Sequence, residues 1–207
     1  MLTLYYTPNT CALASHLALE HAGAQYEALR IDFSKTEQRS AEYLRVNPKG
    51  RVPALVTPRG ILTETPAILQ FVCQSHPDAG LAPLDDPFEL ARMNAFNSYL
   101  GATVHVAHAH RMRGARWADD PAAIAAMQKK VPQSVGECFA LIEREYLGEP
   151  WVLGERYSVA DMYLFTLAQW LEGDGVDPAR LPKVADHRLR MSRDSLVSRV
   201  VASELSG

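Results

Sequence analysis

Cysteine is scarce in this chain, and the scarcity narrows what the protein can be. Three are present, at positions 11, 73 and 138, too few and too scattered for a disulfide framework. No Cys-x-x-Cys pair and no Cys/His spacing typical of a zinc site occurs. The first residues, Met-Leu-Thr-Leu-Tyr-Tyr, carry no basic leader and no cleavage site, and no apolar run approaches membrane-spanning length. Internal repeats and low-complexity tracts are absent too. A reducing cytoplasm is the expected location. Charge of one sign is also lacking. Lys and Arg number 21 against 24 Asp and Glu, for a net −3 and a pI near 6.2. That excludes a general attraction to nucleic acid or to an anionic membrane. What remains is an ordinary globular composition: 207 residues, 47% hydrophobic and 22% charged, with room for one or two cores.

The stretch that organises the chain is Asn47-Pro48-Lys49-Gly50-Arg51-Val52-Pro53-Ala54-Leu55. Pro48 and Gly50 mark a tight turn, and Pro53 opens an apolar strand. Pro53 brings no amide hydrogen, so the backbone beside it is left for another partner. A cis Val52-Pro53 bond would turn the Val52 amide and carbonyl towards an extended peptide laid alongside.

Around this stretch the first 76 residues read β-α-β-(α)-β-β-α. Leu2 to Tyr6 is a strand rich in aromatic and apolar residues. Cys11 to Ala22 is a helix with Leu13 and Leu17 on an apolar face, Glu20-His21 on a polar one, and Gly23 as its stop. Ala24 to Asp32 is a second strand. A polar segment with weak helical pattern around Ala41-Glu42-Tyr43-Leu44 follows it. Ala54 to Thr57 and Ile61 to Thr63 form a hairpin through Pro58-Arg59-Gly60. A helix runs from Pro66 to about Ser75, with Thr65 as its expected N-cap. One βαβ unit plus one hairpin predicts a mixed four-stranded sheet.

Residues 77–87 belong to a linker. From 76 to 87 there are three prolines, one glycine and three aspartates. Residues 88–207 lack strand alternation and predict an all-α domain of roughly five helices. The first is a long helix from Phe88 to Arg113. A second runs from Pro121 to Tyr146, with a kink or break expected at Pro132. Ser158-x-x-Asp161 reads as a capping box opening a helix to Leu171. Its loss is expected to cost folding, about 1 kcal/mol or more. Two further helices start at Pro182 and near Asp194-Ser195.

Taken together, these blocks resemble the cytosolic glutathione transferases, specifically the bacterial beta class. The resemblance spans nearly the whole chain. It rests on Tyr5-Tyr6-Thr7-Pro8-x-x-Cys11, the Asn47 to Leu55 block, Leu62-Thr63-Glu64, His105, and Ser158-Val159-Ala160-Asp161-x-Tyr163-Leu164-Phe165-Thr166 in that order. It implies an α/β thioredoxin-like N-terminal domain followed by an all-helical domain carrying the wall of an electrophile site. It also implies a cis Val52-Pro53 bond, a homodimer, and glutathione as co-substrate.

The resemblance and the residues together suggest a site. Cys11, at a helix N-terminus, is expected to have a lowered thiol pKa and to lie at the glutathione sulfur. Cys73 and Cys138 are read as packing residues. Tyr6 and Thr10 are rival hydroxyls for activating the thiol, and Ala12 stands where many relatives of this class have serine. Val52 would pair with the cysteinyl unit. Glu64 and Thr65, at a strand end and helix start, would hold the γ-glutamyl ammonium and carboxylate. Pro66 brings no amide to that cradle. Lys35 is the first choice for the glycyl carboxylate, with Lys49 and Arg51 as alternatives. His105 is implied to assist the thiol chemistry and Ser98 to reach glutathione across a dimer, while Val106 replaces a usual lysine. His105 and His108 share a helix face that His110 does not. No third ligand joins them, so no metal is expected. Tyr99, Met112 and Trp117 are possible walls for the electrophile. Two alternatives to conjugation stay open: a glutathione-dependent thiol-disulfide reductase using Cys11, and a non-catalytic ligand-binding or regulatory protein on the same fold.

Overall fold

The computed structural model of the chain describes residues 1–206. It divides into two compact units, Met1–Leu90 with the segment from Ser192 onwards, and Ala91–Met191.

The first unit is built on a four-stranded sheet in the order β2-β1-β3-β4. The strands are β1 (Leu2–Tyr6), β2 (Tyr26–Arg30), β3 (Ala54–Thr57) and β4 (Gly60–Thr63). Strand β1 pairs parallel with β2 and antiparallel with β3, Leu4 lying opposite Ala28 and Leu55. Strands β3 and β4 close as a hairpin, with Leu55 opposite Leu62. The mixed sheet expected from the pattern is therefore present. Leu4 and Leu55 are fully buried, as are Leu17 on α1 (Ala12–His21) and Ile68, Leu69 and Val72 on α3 (Thr65–Ser75). Helix α2 (Ala41–Val46) starts at Ser40, whose hydroxyl accepts the Tyr43 amide.

Two expectations need correction here. Helix α1 has no polar face over most of its length, since every residue from Ala12 to Leu19 is buried. The reason is its neighbours: α1 packs against β1, α3 and the last helix, α9 (Ser195–Ser206). Accordingly, α9 does not stay with the other late helices. A buried hydrogen bond between His16 Nδ1 and Glu204 Oε1 at 2.8 Å, and an ion pair between Arg199 and Glu20 at 3.5 Å, hold it to the first unit.

The second unit is helical. It holds most of α4 (Pro87–Tyr99), then α5 (His105–Arg113), α6 (Pro121–Leu141), α7 (Val159–Ala168) and α8 (Pro182–Arg193). The long helix expected over 88–113 is interrupted by a π-helical turn, Leu100–Val104. Gly101 and the β-branched pair Thr103-Val104 weaken α-helix at that point. Helix α6 runs through Pro132 without the expected break. The carbonyl that Pro132 leaves unpaired belongs to Gln128, an exposed residue, so water can satisfy it. All ten residues of α7 are buried.

The capping box at the start of α7 is complete and wider than its four-residue motif. Ser158 and Asp161 satisfy each other's backbone amides. Asp161 Oδ1 also accepts from the Val152 amide at 2.8 Å and lies 3.0 Å from His187 Nε2.

Candidate functional site

The site is assembled in the first unit from three stretches of chain. Cys11 occupies the N-cap position of α1, and its own side chain does not cap the helix. The preceding loop is held by its threonines. Thr7 donates to the Ile31 carbonyl at 2.7 Å, while Thr10 donates to the Thr7 carbonyl at 2.7 Å and accepts from the Ala12 amide. Thr10 therefore directs its proton into the loop. Tyr6, the other candidate donor, packs its ring 5.3 Å from His16, with Glu204 nearby.

The hydroxyl beside the Cys11 thiol belongs instead to Thr65. Thr65 is buried and is the first helical residue of α3, not its N-cap. Glu64 takes the N-cap position with φ 75°, a positive φ rare for a glutamate, and provides no side-chain cap.

The second stretch is the turn from Asn47 to Pro53. Gly50 has φ 60°, and a Cβ on it would come within 2.8 Å of the Gln38 carbonyl oxygen, so only glycine fits. The Val52-Pro53 peptide bond is cis. The Cys11 thiol donates to the Val52 carbonyl, with Sγ 3.6 Å from the oxygen. Lys49 reaches across to the third stretch, its Nζ 2.7 Å from Thr63 Oγ1 and 2.5 Å from Glu64 Oε1.

The expected lowering of the Cys11 pKa does not hold. The thiol is pushed up to about 11, above all by burial and in part by the Glu64 carboxylate. The Thr65 hydroxyl and, more weakly, Arg51 act the other way without reversing it. A thiol that donates to a carbonyl oxygen also loses that bond on ionising, which adds to the same preference.

Cys11, Val52, Glu64 and Thr65 therefore come together. Lys35 does not join them: its side chain is 73% exposed and pairs with Asp32 at 3.4 Å. The cation that meets Glu64 is Lys49. Ser98 and His105 lie in the second unit, Ser98 exposed on α4 and His105 at the first position of α5.

His105 and His108 both face Trp170, with ring centroids at 5.3 and 4.1 Å, while the His110 ring lies tilted against Trp117, with centroids 4.3 Å apart. The shared face read from the spacing is thus real. The sequence reading missed Asp174. This buried carboxylate lies 2.7 Å from His108 Nδ1 and 3.4 Å from Arg111 Nε. It stands 66 residues from His108, and no local pattern links the two. Among the described residues there is no group of three His, Cys, Asp or Glu placed to hold a metal ion. Of the expected wall residues, Tyr99 stacks on Tyr146, and Met112 and Trp117 are exposed.

Comparison with known proteins decides the family. Residues 1–74 match the glutathione S-transferase N-terminal domain, and residues 104–194 match the C-terminal domain of the same family. The chain belongs to the glutathione S-transferase family. This transferase is 30% identical over 204 residues to glutathione S-transferase GstA of Escherichia coli O157:H7, covering 97% of this chain and 98% of that one. A glutathione transferase homologue from Sulfitobacter, solved with bound glutathione, superposes with a TM-score of 0.95 at 45% identity, covering 98% of both chains. A beta-class enzyme from Sphingomonas chungbukensis gives 0.84 at 31% identity, again with 98% of both chains covered. The fold and the transferase class expected from the sequence both stand. No helix among the described residues is long and apolar enough to cross a membrane.

Proposed function

We propose that this transferase binds glutathione extended along the backbone at Val52 and conjugates its sulfur to small hydrophobic electrophiles. The observation that carries the reading is the meeting of Cys11, Val52, Glu64 and Thr65 at the start of α1 and α3. The open N-terminus of α3 and the Thr65 hydroxyl suit the γ-glutamyl carboxylate, and Glu64 suits its ammonium. Lys49, already at Glu64, is the cation for a ligand carboxylate in place of Lys35.

Cys11 acts here as a neutral S–H group. Its raised pKa and its bond to the Val52 carbonyl favour a protonated thiol beside the glutathione sulfur. A protonated cysteine can donate a hydrogen bond to a thiolate but is a poor nucleophile towards a disulfide. The glutathione thiol loses its proton to solvent, its thiolate forms the new carbon–sulfur bond, and the leaving group departs with its electron pair. His105 assists and Ser98 contributes from the second subunit of a homodimer. The working compartment is the cytoplasm and the role is removal of reactive electrophiles, with no nucleic acid or membrane partner and no metal.

The test is calorimetry with glutathione, followed by two assays on the same protein: chloride release from chloronitrobenzene and reduction of a glutathione mixed disulfide. The expected result is one glutathione per chain and conjugation without disulfide reduction. Disulfide reduction that depends wholly on Cys11, with no conjugation, overturns the reading in favour of thiol exchange. Absence of glutathione binding overturns it altogether.

A further inference from the structure

The Arg51 carbonyl oxygen receives two side-chain donors, one from α2 and one from the residue just after it. Tyr43 Oη donates to it at 2.7 Å and Asn47 Nδ2 at 2.6 Å. Both residues are almost fully buried, at 2% and 1% exposed. Asn47 also holds the turn by its other atoms. Its Oδ1 accepts the Lys49 amide at 3.2 Å, and its backbone carbonyl accepts the Gly50 amide at 2.9 Å. The Tyr43 ring is set in turn, edge-on to Tyr5 with centroids 5.5 Å apart, and the Tyr43 carbonyl accepts the Asn47 amide.

The consequence lies in peptide geometry. The Arg51–Val52 bond is an ordinary planar trans peptide, so its carbonyl and the Val52 N–H point in opposite directions. Two donors fixing the Arg51 oxygen therefore also fix the direction of the Val52 N–H. The next carbonyl along, that of Val52, is the one that receives the Cys11 thiol. One clamp thus sets the peptide plane on which an extended ligand must align, and the Asn47 bond to the Lys49 amide sets where that lysine begins.

We propose that Tyr43 and Asn47 are positioning residues for glutathione, aiming the Val52 N–H at its cysteinyl unit without touching it. This rests on the glutathione reading above. A role confined to stability would lower the melting temperature and leave ligand affinity of the folded protein unchanged. A positioning role raises the dissociation constant and KM for glutathione, and leaves kcat at saturation and the electrophile KM in place.

Tyr43→Phe keeps the ring and removes one donor. Calorimetry and steady-state kinetics well below its melting temperature are expected to give a glutathione Kd and KM about fivefold higher, with kcat within about twofold of wild type. Asn47→Ser removes two contacts, so a rise of about tenfold or more is expected. It serves as the second variant if the first does not fold. Wild-type affinity in a folded variant overturns the proposal, as does a kcat that falls in step with kcat/KM. A wild type that does not bind glutathione at all refutes the functional reading itself, and the positioning role falls with it.

Discussion

Two helix starts in this molecule use similar residue types to opposite ends. At α7, Ser158 and Asp161 close the helix N-terminus with their own side chains, and both are fully buried. Asp161 goes further and collects the Val152 amide and His187. At α3, Glu64 sits at the N-cap with a positive φ and no capping bond, and its carboxylate turns outwards to Lys49. Each start has an acidic residue and a hydroxyl within four positions. One is saturated from inside and serves the fold. The other leaves its amides and its carboxylate for something else. The lesson is that a polar helix start becomes a binding feature when its own side chains do not cap it.

The comparison can be broken most sharply at Asp161. Asp161→Ala strips the carboxylate from three partners in a buried setting, and a loss of about 3 kcal/mol or more in urea unfolding is expected. Glutathione affinity of the fraction that folds is expected to be unchanged; a loss of affinity at unchanged stability would reverse the assignment.

Glu64→Ala is the mirror experiment. Here stability is expected to move by less than about 1 kcal/mol, because the Lys49 pair is exposed. Glutathione binding is expected to weaken by about tenfold or more, read by calorimetry.

Cys11, at the start of α1, tests whether the site carries a nucleophile. Cys11→Ala is expected to retain conjugation within about fivefold, the loss of one weak donor. Alkylation of Cys11 by iodoacetamide is expected to be slow at neutral pH and to climb towards pH 11. There is a linked effect on stability. The folded thiol keeps its proton up to about 11, while the unfolded thiol loses it near its ordinary value of 9.0. The burial contribution is therefore complete below pH 9 and lost as pH rises through the folded value. Wild type is expected to lose stability relative to Cys11→Ala in that window, and parallel pH curves would contradict the buried-thiol picture.

The smallest effects separate two lysines. Lys49→Met is expected to raise the glutathione Kd about threefold, and Lys35→Met to leave it within about twofold, since Lys35 is an exposed residue paired with Asp32. The reverse order would restore Lys35 to the site.

How much of this was legible in the chain follows from distance along it. The capping box could be read because Ser158 and Asp161 are three residues apart and the helix supplies the geometry. The sheet could be read because strand alternation and hairpin signals are local. Sequence position does not tell that the Lys35 side chain turns to Asp32 and that of Lys49 to Glu64. Asp174 was invisible for the same reason, lying 66 residues from the histidine it holds.

By itself the sequence determined the elements, their order, the tight turn at Pro48 and Gly50, and the residue types that meet at the site. These follow from backbone preference and short-range spacing, which each segment carries wherever it is placed. The tertiary structure alone decided that α9 returns to α1, that the hydroxyl beside Cys11 comes from Thr65, and that the thiol is held protonated. Burial and long-range hydrogen bonds set those features. Both depend on which distant segments pack together, and a side chain's charge state follows the medium that packing creates.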